Sequence, residues 1–401
     1  PVVNLSGNAT DVSLTKQLLV HLLDNFDFQA DKYDSDNNPI QLIDKASGDM
    51  ILFEVSYNTI EFAFAKAERI SEVEERLDTY LSIIQPYLQN HNHELQGWGV
   101  NPNWAKNDNR PVKSPRYEML MDFLELSKAK NDPFFHDYPE YASFICGSQV
   151  QLDVSKTSYL RVLNAFNQIE GPKAVLLANS EFWGSDWDLA LSRDVFWENS
   201  MHGVFEENAG VFPKVFKNED DYFSYLSETA IFTAKRGDET YYFEPIRAKD
   251  YLSTPSIKVH SIRGEVVTIE PSEEDFKTHR SYQFQDLTTR GTIEFRSVCT
   301  QPFSSTFAPA AFHLGLLVNL VNLENILNDS PFFEAFDYDY PRIRRLFSKK
   351  DISATDLKMI LPLTESLLSC AEDGLKSRGF GEEVYLAPLR EKLDRLNKSL
   401  D

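Results

Sequence analysis

The chain of 401 residues is short of cysteine, of positive charge and of long apolar runs. Its three cysteines, Cys146, Cys299 and Cys370, are odd in number, widely spaced and form no C-x-x-C pair. That argues against a disulfide scaffold and against a structural zinc site. There are 40 Lys and Arg against 62 Asp and Glu, a net charge of −22. So acidic a surface repels phosphate backbones and anionic lipid heads, so neither nucleic acid nor membrane is expected as the main partner. No apolar run reaches the ~18–20 residues that a bilayer requires. The longest candidate, 308–327, is broken by His313, Asn319, Asn322 and Glu324. There is no G-x-x-x-x-G-K-[ST], no G-x-G-x-x-G between a strand and a helix, no H-E-x-x-H and no G-x-S-x-G. If such a chain uses ATP, metals and arginines must hold the phosphates. The chain opens at Pro1 with no methionine and no basic n-region before an apolar h-region. This allows that a stretch upstream was removed, and the expected compartment is the cytoplasm.

What is present suffices for a large core: 42% of residues are hydrophobic and 13% aromatic, which excludes disorder of the whole. Without repeats, low-complexity blocks or Gly/Ser linkers, the chain reads as one domain over 1–401, with a core at 40–320 and a helical portion at 321–401. Apolar spacing predicts helices at 14–26, 70–89, 117–128, 156–169, 308–327, 355–376 and 382–396. Short extended runs fall at 39–43, 50–55, 59–64, 95–100, 143–154, 174–178 and 292–298, and 241–270 is β-rich. There is no βαβ rhythm, so the expected class is α+β with an antiparallel-dominated sheet.

Several of these strands carry polar side chains where a buried sheet face is apolar. In TIEFRSV, Glu294 and Arg296 share a face. In GSQVQLDV, Gln149, Gln151 and Asp153 share one face and Val150, Leu152 and Val154 the other. Glu54 and Glu61 lie at or near the ends of apolar runs around Ser56-Tyr57-Asn58, and a tight hairpin there returns them to one face. Singly, each segment is an ordinary half-solvated strand. Jointly, acids on apolar strands with an arginine beside them suit Mg²⁺ holding polyphosphate, since magnesium takes hard oxygen ligands and keeps water. Among the histidines, His91 and His93 read as a solvated helix end rather than a metal pair, and His136 as part of a covering loop.

The order of motifs resembles the glutamate–cysteine ligase family, within the glutamine synthetase-like superfamily of carboxylate–amine ligases. IEFRSVCTQPFSS (293–305) is similar to that family's E-x-R-S-x-D strand followed by Asn-Pro-Phe-Ser. FICGSQVQLDV (144–154), VLLANSEFWG (175–184), the acidic hairpin FEVSYNTIEF (53–62), SRDVFW (192–197) and RYEML (116–120) follow the family's order over about 40–320. The resemblance implies a curved antiparallel-dominated sheet forming an active-site funnel, flanked by helices. It implies ligation of glutamate to cysteine with ATP, through a γ-glutamyl phosphate, as the first step of glutathione synthesis. Two or more Mg²⁺ ions would assist. Alternatives are another amine acceptor, or a relative without catalysis.

Carried over by position, Glu54, Glu61, Glu294 and Gln149 look like metal ligands, and Glu294 and Arg296 like the catalytic pair, with Arg296 meeting the phosphoryl group. Arg193, Trp197, Arg116, Tyr117 and Gln151 look like substrate-binding residues. For Arg193 and Arg116 a surface salt bridge is an equal reading, and for Trp197 and Tyr117 plain packing is slightly favoured. Loops 129–141 and 198–218 are expected to act as lids that keep water from an acyl phosphate. Two departures stand out. No G-x-E-x-E strand precedes PVVNLSGN, so the first family strand is expected to be absent. Cys299 stands where the family has Asp, and a buried thiol there reads as packing.

Overall fold

The computed structural model describes residues 1–277, 279 and 281–400. In the N-terminal half, the strands Phe28–Tyr33, Pro39–Asp44, Met50–Phe53 and Ile60–Ala63 form an antiparallel sheet in chain order. Helix Val12–Asn25 starts where the Asp11 carboxylate accepts from the N–H groups of Ser13 and Leu14, relieving two donors that a helix start leaves unpaired. Its stripe of Leu14, Leu18 and Leu22, and that of helix Ile70–Gln89 (Leu77, Tyr80, Ile84, Leu88), enter the same core as Leu42, Ile51 and Phe53 of the sheet.

The second large core lies under a three-stranded antiparallel sheet in the order Gln285–Leu287, Thr292–Cys299, Gly147–Asp153. The central strand buries Ile293 and Phe295 against helices Tyr159–Gln168, Glu170–Leu177 and Ala308–Val318, and Phe166 and Phe295 lie 4.5 Å apart, ring to ring. The expected strand at 174–178 is the end of helix Glu170–Leu177. All eight of its residues are buried, so its apolar stretch Ala174–Leu177 shows no helical stripe, which is what a buried strand also shows. The expected strand at 95–100 shrinks to His93–Leu95, which pairs with Val2–Asn4. A strand at Phe28–Tyr33 and a helix at Tyr340–Phe347 were not expected; both carry several charged residues.

Strands Ala230–Arg236, Glu239–Arg247, Ile257–Ser261 and Val266–Ile269 form a further antiparallel meander over a small core of its own. Among the described residues the strands divide among five sheets of two to four strands, and the pair Ala209–Gly210 with Tyr282–Gln283 is parallel. Antiparallel pairing dominates as expected. Beyond residue 303 the chain is helical, and the expected helix at 308–327 is bent by 88° between Phe303–Val318 and Leu320–Asp329. Among the described residues no single helix is long and apolar enough to cross a membrane.

Candidate active site

The hairpin of Met50–Phe53 and Ile60–Ala63 places two acids together. Leu52 pairs directly with Glu61, so the two share a face, and Glu54, two residues after Leu52, returns to it. The turn is tight: the Ser56 N–H donates to the Glu54 carbonyl at 2.7 Å across Val55, whose φ is +59°. A β-branched residue in the left-handed region is strained, and its surroundings must hold it there. Here the Val112 N–H donates to the Val55 carbonyl at 2.7 Å, and Ser56 Oγ donates to the Ser143 carbonyl at 2.7 Å.

The carboxyl of Glu61 meets that of Glu54 within interaction range. Burial, and then the charge of Glu54, push Glu61 up to about 8; Arg116 opposes the shift and Glu294 adds to it. Tyr117, near the start of helix Pro115–Glu125, donates from Oη to Glu54 Oε2 at 2.8 Å. Burial and then the Glu54 carboxylate hold its phenol above the ordinary range. Tyr117 is therefore both packed and tied to the Glu54 carboxylate. Arg116 is exposed and makes no ion pair among the described residues, so the surface salt-bridge reading does not hold.

The central strand supplies the opposite wall. Glu294 pairs with Gln151 on one side and with Asp286 on the other, so all three share a face. Arg296 Nη2 lies 2.7 Å from Glu294 Oε1 and 3.5 Å from Asp286 Oδ2, and Gln151 Nε2 donates to Glu294 Oε2 at 2.9 Å. Gln151 also accepts from Arg290 Nη2 at 2.8 Å and remains exposed. Gln149 lies exposed on the same face. Lys66, just past the hairpin, reaches Asp153 at 2.6 Å and ties the two sheets together.

Arg193 is buried, not on the surface. It begins helix Arg193–Glu198, and its Nη1 donates to the Val298 carbonyl at 3.0 Å. Its guanidinium lies over Gly147, on the Gln149 side of that strand, where a Cβ would come within 2.5 Å of Nη2. Trp197 stacks on Tyr282 with ring centres 4.8 Å apart, and the Arg296 guanidinium lies 5.9 Å from the Tyr282 ring centre. His202 is fully buried, 3.9 Å from Tyr282 and hydrogen-bonded to Tyr141 at 2.7 Å. Burial, then the charge of Arg296, hold its imidazole down to about 3, so it is neutral.

Asp286, Tyr282 and His202 were not expected. Asp286 had a signal: it and Glu294 are equidistant from the Thr-Thr-Arg-Gly-Thr stretch at 288–292, which an antiparallel pairing brings face to face. Other expectations fail or hold on packing grounds. His136 is no lid residue: its Nε2 meets the Phe196 carbonyl at 3.1 Å, and it sits edge-on to Tyr141 and Phe196. Loop 198–218 buries Met201, His202, Asn208 and Phe212, so it is anchored and unlike a hinged cover. His93 is a buried helix-end partner that accepts from the Asp11 N–H at 3.1 Å. Cys299 is fully buried, with its thiol 3.2 Å from Ser180 Oγ, as packing requires.

Among the described residues no group of three or more His, Cys, Asp or Glu side chains is arranged to hold a metal ion. Glu54, Glu61 and Glu294 are thus not a closed ligand set: the first two meet, and Glu294 is engaged by Arg296 and Gln151.

A family model described as glutamate-cysteine ligase family 2 matches residues 11–395. The chain is 22% identical over 343 residues to the chloroplastic glutamate–cysteine ligase of Medicago truncatula, a match covering 82% of this chain and 62% of that protein. It is 22% identical over 338 residues to that of Arabidopsis thaliana, covering 81% and 60%. With the chloroplastic glutamate–cysteine ligase A of Oryza sativa subsp. indica it shares 22% identity over 383 residues, covering 92% and 72%. The chain spans 62% of the length of the Medicago relative and 61% of that of Solanum lycopersicum.

Proposed function

The chain belongs to the glutamate–cysteine ligase family, and from that premise we propose that it joins the γ-carboxylate of glutamate to the amine of cysteine, with ATP converted to ADP. The γ-carboxylate attacks the γ-phosphorus of ATP, ADP leaves, and the amine displaces phosphate from the acyl phosphate to leave the amide. The observation that carries this reading is the meeting of Glu54 and Glu61 within the field of Glu294, opposite Arg296.

Magnesium fits the donor set. Glu61, which keeps its proton up to about 8 beside Glu54, has oxygens ready for a cation in that proton's place. Mg²⁺ is commonly held by one or two carboxylates, with water and substrate phosphate completing its shell, so a closed protein cage is not needed. Glu54 and Glu61 would hold it, with Glu294 and Gln149 facing the same space. When bound it supplies charge neutralisation between the phosphates.

The chain's own residues do the remainder. Arg296 is a fixed cation on the site face, suited to the equatorial oxygens of a transferring phosphoryl group once Glu294 releases it. Gln151 keeps Glu294 turned toward that space, and Tyr117 does the same for Glu54. Arg193 and Arg116 are the cations available to substrate carboxylates, and Trp197 with Tyr282 gives the pocket an apolar wall.

The test is an ADP-release screen of the full chain, with glutamate held constant and the acceptor amine varied. Cysteine-dependent release is expected. Release with a different amine only would assign another acceptor, and none with any amine would overturn the ligase reading. Glu294→Gln should lower turnover by about 100-fold or more with the fold intact, because it removes a charge next to the reacting phosphates; near-normal turnover would remove Glu294 from the site.

A further inference from the structure

The central strand departs from regular pairing at one place. Between Phe295 opposite Val150 and Val298 opposite Ser148, the two residues Arg296 and Ser297 face the single residue Gln149. Such a bulge breaks the ladder and re-aims a side chain, and here the re-aimed side chain is Arg296.

Directly behind the bulge is a set of buried ions. Ser297 Oγ donates to Glu170 Oε1 at 3.1 Å, and the same oxygen accepts from Lys173 Nζ at 2.6 Å and from Gln285 Nε2. Arg344 Nη2 donates to the Ser297 carbonyl at 3.1 Å, Nη1 lies 3.0 Å from Glu170 Oε2, and Nε donates to Asp194 Oδ2 at 2.7 Å. Arg344 is 2% exposed, Glu170 1%, Lys173 1% and Asp194 4%. The four charges cancel. Well-packed apolar side chains fill such a space at least as stably as ions, so stability alone does not account for the choice. What ions add is direction: both bonding groups of Ser297 that point away from the site are held by them.

We propose that Glu170 and Arg344 are positioning residues: they fix the backbone of the Arg296–Ser297 bulge from behind and so set the direction of Arg296 on the site face. The helix Tyr340–Phe347, which carries no group that faces substrate, thereby acts on the chemistry through the strand. The consequence for turnover rests on the ligase reading; the consequence for the strand does not.

Two variants of the full chain test this. Ser297→Ala removes one tie and keeps every charge. Glu170→Met combined with Arg344→Met removes one positive and one negative charge, leaving Lys173 and Asp194 as a pair. Amide hydrogen exchange over 292–299 is measured without substrate, and kcat and KM by ADP release. The expectation is a melting temperature close to the parent's, exchange at 296–298 faster by about tenfold, and kcat lower by about tenfold or more with KM for glutamate little changed. Folded variants with unchanged exchange and unchanged kcat would overturn the proposal. Should the double variant not fold, Ser297→Ala decides it alone. Should the parent release no ADP with any amine, the ligase reading fails and the exchange measurement still decides whether the bulge is held from behind.

Discussion

Glu61 shows how a single side chain reports the site. Its carboxyl is pushed up to about 8 from an ordinary 4.5, with burial first and Glu54 second among the causes. An acid raised in this way binds its proton in the folded chain where the unfolded chain has lost it. Between pH 4.5 and about 8 the folded state therefore holds more protons, and stability falls as pH rises through that window. The loss is on the order of a few kcal/mol. Glu61→Gln, which cannot ionise, is expected to flatten the pH dependence of the melting temperature between pH 5 and pH 8, and an unchanged slope would mean the carboxyls do not meet. Added Mg²⁺ should stabilise the parent more strongly as pH approaches 8, since the cation competes with the Glu61 proton; a melting temperature that responds equally at pH 5.5 and pH 8 would rule that out. The shared face of Glu54 and Glu61, and that of Glu294 and Arg296, were legible because strand alternation assigns faces by counting. Glu170 and Arg344 were not, because a buried ion in a helix looks, in sequence, like any solvated charge. Only the fold places Ser297 against them.

At the scale of elements, the strand Gly147–Asp153 carries the clearest constraint. Gly147 has no side chain because Arg193 fills that volume, with Nη2 2.5 Å from where a Cβ would sit. Gly147→Ala must push the guanidinium aside, at a cost of about 1–3 kcal/mol. If Arg193 binds a substrate carboxylate, KM for glutamate should rise by roughly tenfold while kcat changes less. A variant with lowered stability and normal KM would leave Arg193 a structural residue. Helices with one apolar stripe, such as Ile70–Gln89, were legible to the residue. The helix Glu170–Leu177 was not, because an element buried on every side shows no period. The 88° break after Val318 was hidden for another reason: only Asn319 marks it, with no proline or glycine at the bend.

Across the whole molecule, two large cores meet where the site lies, and close helix contacts support the second. Gly315 and Gly374 let helices Ala308–Val318 and Ala354–Arg378 cross backbone to backbone; a Cβ on Gly315 would come within 2.2 Å of the Ala371 carbonyl oxygen. Gly315→Ala should destabilise the fold by about 1–3 kcal/mol, measured by denaturant unfolding, without altering KM. The charge of −22 acts at this scale too, since ATP and glutamate are both anions. Raising ionic strength from about 10 mM to about 150 mM shortens the screening length from roughly 30 Å to 8 Å. At fixed Mg²⁺, kcat/KM for ATP should therefore rise with salt; a fall would show that the arginines at the pocket govern the approach. The left-handed Val55 has a last consequence for anyone engineering this chain. Glycine would relax that backbone but would empty the core space that the buried Val55 side chain fills, so heat resistance is not gained by Val55→Gly. The same relaxation frees the loop that aims Glu54, and the looser protein would be the poorer catalyst.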